Sequence, residues 1–181
     1  CIRPDIFHEV GNRLAAAGSR QQAADLRREL LACPLPPDLR LGILSELAAT
    51  LPDEEALALV RREKPGLHRD ARRLSGTIES LERQILKRRL AAQPPDSELK
   101  ARTAEEILKT APDDRDALSA LAWYRFQRGE HEEAERLFAL LSQQDPADKD
   151  VALGLGYARL NSGRIDTALD PLDRGRIAED A

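Results

Sequence analysis

Residues 115–146 read RDALSALAWYRFQRGEHEEAERLFALLSQQDP, and the rest of the chain is best understood from this stretch outward. Leu118, Leu121 and Ala122 recur at helical spacing, Gly129 interrupts the pattern, and Ala134, Phe138 and Leu141 resume it on a second helix. A left-handed residue closes a helix most cheaply as glycine, which suits Gly129. Asp114 stands where an N-cap is wanted. Ala122 and Ala134 let two helices approach, and the larger side chains fill the space between them. Pro112 and Pro146 bracket this hairpin, 34 residues apart.

The following segment, KDVALGLGYARLNSGRIDTALDPLD from Lys149, repeats the hairpin at that period. Leu155, Gly156, Gly163, Ala168 and Leu172 stand where Leu121, Ala122, Gly129, Ala134 and Phe138 stood, and Asp148 stands for Asp114. Pro171 falls inside the expected second helix and should bend or delay it. Residues 4–34, PDIFHEVGNRLAAAGSRQQAADLRRELLACP, fit the same frame through Phe7, Val10, Gly11, Leu14, Gly18, Ala23 and Leu30. They depart from it at Arg27, where a large apolar residue is expected, so this first unit is degenerate.

The pattern resembles the tetratricopeptide repeat (TPR) family, whose helix–turn–helix units carry small residues at the eighth and twentieth positions and proline near the thirty-second. The resemblance is clear over 113–146 and 147–181 and degenerate over 1–37. It implies an all-α fold, a right-handed superhelical solenoid of about five antiparallel hairpins. Between the clear repeats the frame weakens. Residues 38–66 read as a short hairpin, and 67–112 as a hairpin with one long helix near 68–92, striped by Leu74, Ile78, Leu81 and Ile85. The whole of 1–181 is then a single repeat domain. Starting at Cys1 and lacking Met, it reads as a processed or excised piece of a longer chain. A last repeat without a polar cap predicts further repeats or self-association at the C-terminal end.

Composition agrees with helices. Of 181 residues, 41% are hydrophobic and 33% charged but only 3% aromatic, so Leu and Ala must supply the core and a β-sandwich is excluded. No apolar run is long enough to span a membrane. The net charge of −4 is uneven: 1–60 carry 6 basic and 9 acidic residues, 61–100 carry 11 and 6, and 101–181 carry 11 and 17.

Nothing in the sequence points to catalysis. His8, His68 and His131 lie in separate hairpins with no nucleophile or orienting carboxylate beside them, and phosphate-binding and metalloprotease motifs are absent. Glu130, Glu132, Glu133 and Glu135 open a second helix, where negative charge favours the dipole. No metal and no cofactor is expected, and the chain is read as no enzyme. Cys1 and Cys33 sit at the same end of the first hairpin, where a disulfide would fit an oxidising compartment such as a bacterial periplasm; two free thiols are the alternative.

The resemblance also implies a binding surface, the concave wall built from the first helix of each hairpin. Counting repeats from Arg115 and Lys149, its positions are Asp116, Ser119, Trp123, Phe126 and Gln127, then Asp150, Leu153, Tyr157, Leu160 and Asn161. Counting from Pro4, the first unit adds Asp5, His8, Asn12, Ala15 and Ala16. Trp123 and Tyr157 occupy equivalent places and suit an apolar peptide or helix, although Trp123 equally suits packing against the next hairpin. The family's clamp for acidic C-terminal tails needs Lys and Asn where Asp116, Ser119 and Asp150 stand, which disfavours such ligands.

The function expected is therefore a noncatalytic scaffold for a protein or peptide partner. The Arg, Leu and Ala texture also resembles the periplasmic repeat regions of bacterial outer-membrane exopolysaccharide export proteins. Two other readings stand beside it. One is an anionic-polymer site on the basic segment 61–89, through Arg69, Arg72, Arg73, Lys87, Arg88 and Arg89; without interleaved aromatics, nucleic acid is disfavoured there. The other is a regulatory domain of a larger enzyme.

Overall fold

The computed structural model describes residues 3–70 and 74–176, apart from the side chains at 5, 68–70 and 174–176. The described residues form ten helices and no strand. They are α1 (Pro4–Ala16), α2 (Arg20–Leu31), α3 (Pro37–Thr50), α4 (Asp53–Asp70), α5 (Ser75–Ala92), α6 (Glu98–Thr110), α7 (Arg115–Gln127), α8 (His131–Gln144), α9 (Lys149–Asn161) and α10 (Ile165–Arg176). The fold is all-α, as the hairpin pattern predicts. The chain divides into two compact units, Cys1–Arg88 and Arg89–Ala181.

In the first unit α1 packs on α2, α2 on α3 and α3 on α4. Pro4 and Pro37 occupy the first turns of α1 and α3, where the missing N–H has no partner to lose. Gly18 turns the chain between α1 and α2 at φ 84°. Leu41, Ile43, Leu44 and Leu47 bury several sides of α3, and Ala56, Leu57 and Val60 of α4 join this core. Arg27 is buried as a tie between helices. Its Nε donates to Glu46 Oε2 of α3 at 3.0 Å, and its Nη2 to Asn12 Oδ1 of α1 at 2.9 Å. The departure from the repeat frame at Arg27 is thus a polar cross-link in place of an apolar contact.

Two boundaries differ from the sequence reading. Pro65 does not end a hairpin at 66 but lies inside α4, which continues far enough to bury Leu67. The ring of Pro65 is exposed. Consequently the helix expected near 68–92 runs over Ser75–Ala92, burying Ile78 and Ile85 of the predicted stripe while Leu74 and Leu81 stay half-buried. Cys33 is buried and disulfide-bonded; its pairing with Cys1 falls on a residue outside those described.

In the second unit α6 packs on α7, α7 on α8, α8 on α9 and α9 on α10. A core of Leu118, Ala122, Ala134, Phe138, Leu141, Val151, Leu155 and Ala158 runs through α7, α8 and α9. Gly129 and Gly163 turn each first helix into its second at φ 78° and 79°. Pro171 neither stops nor delays α10, which includes it with its ring fully buried. The helical bond it cannot make would have ended on the Thr167 carbonyl, which instead accepts from Arg159 Nη1 at 2.9 Å.

Candidate protein-interaction surface

The wall residues stand on α7 and α9, whose starts are fixed alike. Asp114 Oδ1 accepts from the Ala117 N–H at 3.2 Å, and Asp148 Oδ1 from the Val151 N–H at 3.1 Å. Close packing sets their depth. A Cβ on Gly154 would meet Phe138 Cε1 at 2.5 Å, and one on Gly156 would meet Leu172 Cγ at 2.5 Å. Bare backbone at these two positions lets α8 and α10 lie against α9, and α7 and α9 touch.

Trp123 and Tyr157, equivalent in sequence, differ in environment. The Trp123 indole meets Phe138 edge-on with centroids 4.9 Å apart and Phe126 at 5.9 Å, so it is half-buried against the core. Phe126 in turn packs on the His131 ring at 5.3 Å. Tyr157 is 46% exposed and Leu160 43%, and with half-buried Leu153 they form an apolar stripe along α9 at spacings of four and three. Asp116, Gln127, Asp150 and Asn161 are exposed, and Ser119 is half-buried. Packing therefore claims Trp123 and Phe126 in part, and the open apolar surface belongs to α9.

Four guanidinium groups around this wall are engaged with carboxylates, while Arg128 lies over the Tyr124 ring at 5.7 Å. Arg115 pairs with Asp145, at 3.4 Å, and with Asp148. Arg125 meets Glu130 at 2.5 Å and Glu105 of α6 at 2.7 Å, and the Glu130 hydrogen bond holds its pKa above the ordinary value. Arg159 and Arg164 converge on buried Glu135 at 3.1 and 3.0 Å. Glu135 is thus the anionic centre of the α8–α9 joint. Sequence reasoning placed it among acids that merely favour a helix start; an arginine at the eleventh position of each clear repeat, Arg125 and Arg159, is the signal that could have found it.

In the first unit the residues at wall positions serve a different purpose. Asn12 accepts from Arg27, and His8 Nε2 lies 3.7 Å from Glu46, so both belong to the α1–α2–α3 cross-link. The side chain of Asp5 lies outside those described. Sequence reasoning also missed an open groove of about 620 Å³ between α1 and α2, lined by Ile6, Phe7, Val10, Leu14 and Leu26.

Much of the basic segment is internally neutralised. Arg61 and Lys64 both donate to Glu82, at 2.8 and 2.9 Å, and Arg88 donates to Asp53 at 2.5 Å and to the Ala48 and Leu51 carbonyls at 3.3 Å. Lys87 and Arg88 are exposed and Arg89 is half-buried, while Arg72, Arg73 and the Arg69 side chain lie outside the description. Among the described residues no group of three or more His, Cys, Asp or Glu is arranged to hold a metal ion, and no helix is long and apolar enough to cross a membrane.

Residues 125–180 match a tetratricopeptide repeat family model, which covers α8, α9, α10 and the end of α7. Among solved structures, the chain is similar to MamA from AMB-1, at 16% identity and TM-score 0.55, covering 99% of this chain and 93% of that one. A further MamA crystal structure matches at 14% identity and TM-score 0.52, covering 98% and 92%. A MamA double mutant from RS-1 matches at 14% and 0.50, covering 98% and 95%. At such identities the likeness is one of fold, a tandem array of helical hairpins. No curated protein matches the sequence.

Proposed function

We propose that the chain is a noncatalytic scaffold that binds a protein or peptide partner through the first helices of its last two hairpins. The observation that carries this reading is the α9 stripe. Leu153, Tyr157 and Leu160 lie on successive turns of a helix packed by α8 and α10, yet Tyr157 and Leu160 remain open. Tyrosine anchors an interface with large area and few rotatable bonds. The tetratricopeptide match over 125–180 supports a protein-binding role for this region.

An acidic tail is a poor ligand, because Asp116 and Asp150 are exposed on the wall helices while Arg115, Arg125, Arg159 and Arg164 are turned to carboxylates of the chain itself. Placement in an exopolysaccharide secretion complex, and hence in the periplasm, is a narrower proposal that rests on sequence texture, with no support from the comparisons. The basic segment is the lesser candidate, since Arg61, Lys64 and Arg88 hold α3, α4 and α5 together.

The test separates binding from packing. Tyr157→Ala with Leu160→Ala should weaken capture of the partner from source-cell extract by at least about tenfold, while thermal stability stays within about 1 kcal/mol of the parent. Trp123→Ala should cost about 2–3 kcal/mol of stability whether or not it changes binding, because its ring packs on Phe138. Capture unaffected by the α9 pair would remove the wall as the site.

A further inference from the structure

The wall positions recur in the irregular part of the chain with different side chains. Counted from Pro37, the first residue of α3, the ninth, twelfth and thirteenth positions are Ser45, Ala48 and Ala49, where α7 carries Trp123, Phe126 and Gln127. On α5, Leu81, Gln84 and Ile85 hold the same spacing. The two sets line one open hollow of about 280 Å³, which exists because small side chains stand on α3 where large ones stand on α7. It lies within the first unit, and each of its walls is flanked along the chain by a preceding and a following helix.

The lining has the make-up of a ligand site, an apolar floor with a few convergent polar groups. Ala48 and Ile85 are buried and Leu81 is half-buried, while Ser45, Gln84 and Arg88 supply the polar atoms. The Ser45 hydroxyl and the Gln84 amide make no hydrogen bond among the described residues. Arg88 is held in place by Nε on Asp53 and Nη2 on the Ala48 and Leu51 carbonyls, and its Nη1 has no partner among the described residues. Charge narrows the class of ligand. Asp53 already balances Arg88, and Glu46 beside Ser45 is turned to Arg27, so the hollow offers a further anion little attraction.

We propose that this hollow takes one aliphatic side chain of an uncharged peptide segment, whose flanking amides bond to Arg88 Nη1, Gln84 and Ser45. An amide supplies both the acceptor that Arg88 lacks and a donor that the Ser45 hydroxyl or the Gln84 carbonyl can receive. A floor of Ala, Leu and Ile side chains, with no aromatic ring and no unbalanced charge, matches a leucine in both size and polarity. The site is separate from the α9 stripe, and neither reading needs the other.

Titration of the isotope-labelled 181-residue chain with N-acetyl-leucine methylamide, followed through backbone amide chemical shifts, tests this. Shifts should cluster around Ser45, Ala49, Leu81 and Gln84 and saturate with a Kd on the order of 1 mM, the affinity expected of so small a ligand. N-acetyl-alanine methylamide should bind at least about tenfold more weakly, because it leaves the apolar floor uncovered. Added salt should change the leucine Kd by less than about twofold, and N-acetyl-leucine with its free carboxylate should bind no tighter. Ala49→Leu fills the hollow from an exposed helical position and should weaken binding at least about tenfold, with circular dichroism unchanged. Ala49→Ser leaves the space open and should bind as the parent does. Shifts that are absent or scattered over the surface, equal binding of the alanine compound, or an Ala49→Leu variant that binds like the parent would each overturn the proposal. Tighter, salt-sensitive binding of the free carboxylate would overturn it as well, in favour of an anion site at Arg88.

Discussion

Glu82 shows how a single carboxylate is shaped by its neighbours. Burial by itself pushes its pKa up, but hydrogen bonds and charge from Arg61 and Lys64 outweigh this and hold it below the usual carboxylate range. The unfolded chain therefore binds the proton more readily than the folded one, and stability rises with pH across that interval. The contribution is present above the unfolded carboxylate pKa and is lost as pH falls through the lower folded value. Urea unfolding of the parent and of Glu82→Gln, followed from neutral pH down to about pH 3, should show the parent more stable at neutrality and the two converging in acid. A difference that stays constant with pH would mean that the carboxylate charge is not what holds α4 to α5. Arg27 makes the related point at low exposure. A sequence pattern marks it as a fault in an apolar frame, because the pattern shows the position and cannot show that Asn12 and Glu46 converge there from two other helices.

The helices and turns of the clear repeats were legible because each depends on local chemistry. Asp114 and Asp148 cap, Gly129 and Gly163 take positive φ, and Ala122, Ala134, Gly156 and Ala168 sit where helices touch. Prolines were less legible, since their effect depends on what becomes of the carbonyl four residues back. Pro171 stays inside α10 because Arg159, from the neighbouring helix, donates to the Thr167 carbonyl; spacing along the chain does not reveal that donor. For the same reason the wall positions could be numbered from the repeat, whereas the division between packed Trp123 and open Tyr157 depends on where Phe138 places its ring. Phe138 owes that placement to Gly154. The bare Cα leaves room for the ring edge, and an added methyl would sit 2.5 Å from it. Gly154→Ala favours the helix by propensity, by up to about 1 kcal/mol, yet should destabilise on balance by about 1–3 kcal/mol because Phe138 is fully buried and must shift. Denaturant unfolding followed through Trp123 fluorescence reads this directly, and a more stable variant would show that the ring relocates freely.

At the scale of the molecule, the division at Arg88 and Arg89 matters more than the count of hairpins. A tandem array has a stability that is the sum of local packing and nearest-neighbour joints, so its parts need not unfold together. Here the principal apolar clusters are local. Leu44, Leu47 and Leu57 belong to the first unit, and the cluster around Phe138 and Leu155 to the second. The only tryptophan, Trp123, lies in the second unit and packs on Phe138, so its fluorescence reports that unit alone, while far-ultraviolet circular dichroism sums all the helices. The two signals should give non-coincident unfolding curves. Phe138→Ala, expected to cost about 3–5 kcal/mol, should move the Trp123 transition to lower denaturant and leave part of the circular dichroism transition where it was. Leu47→Ala, with a cost of about 2–5 kcal/mol, should lower the remaining part and spare the fluorescence midpoint. If either variant shifts both signals together, the chain unfolds as one cooperative body in spite of its local cores.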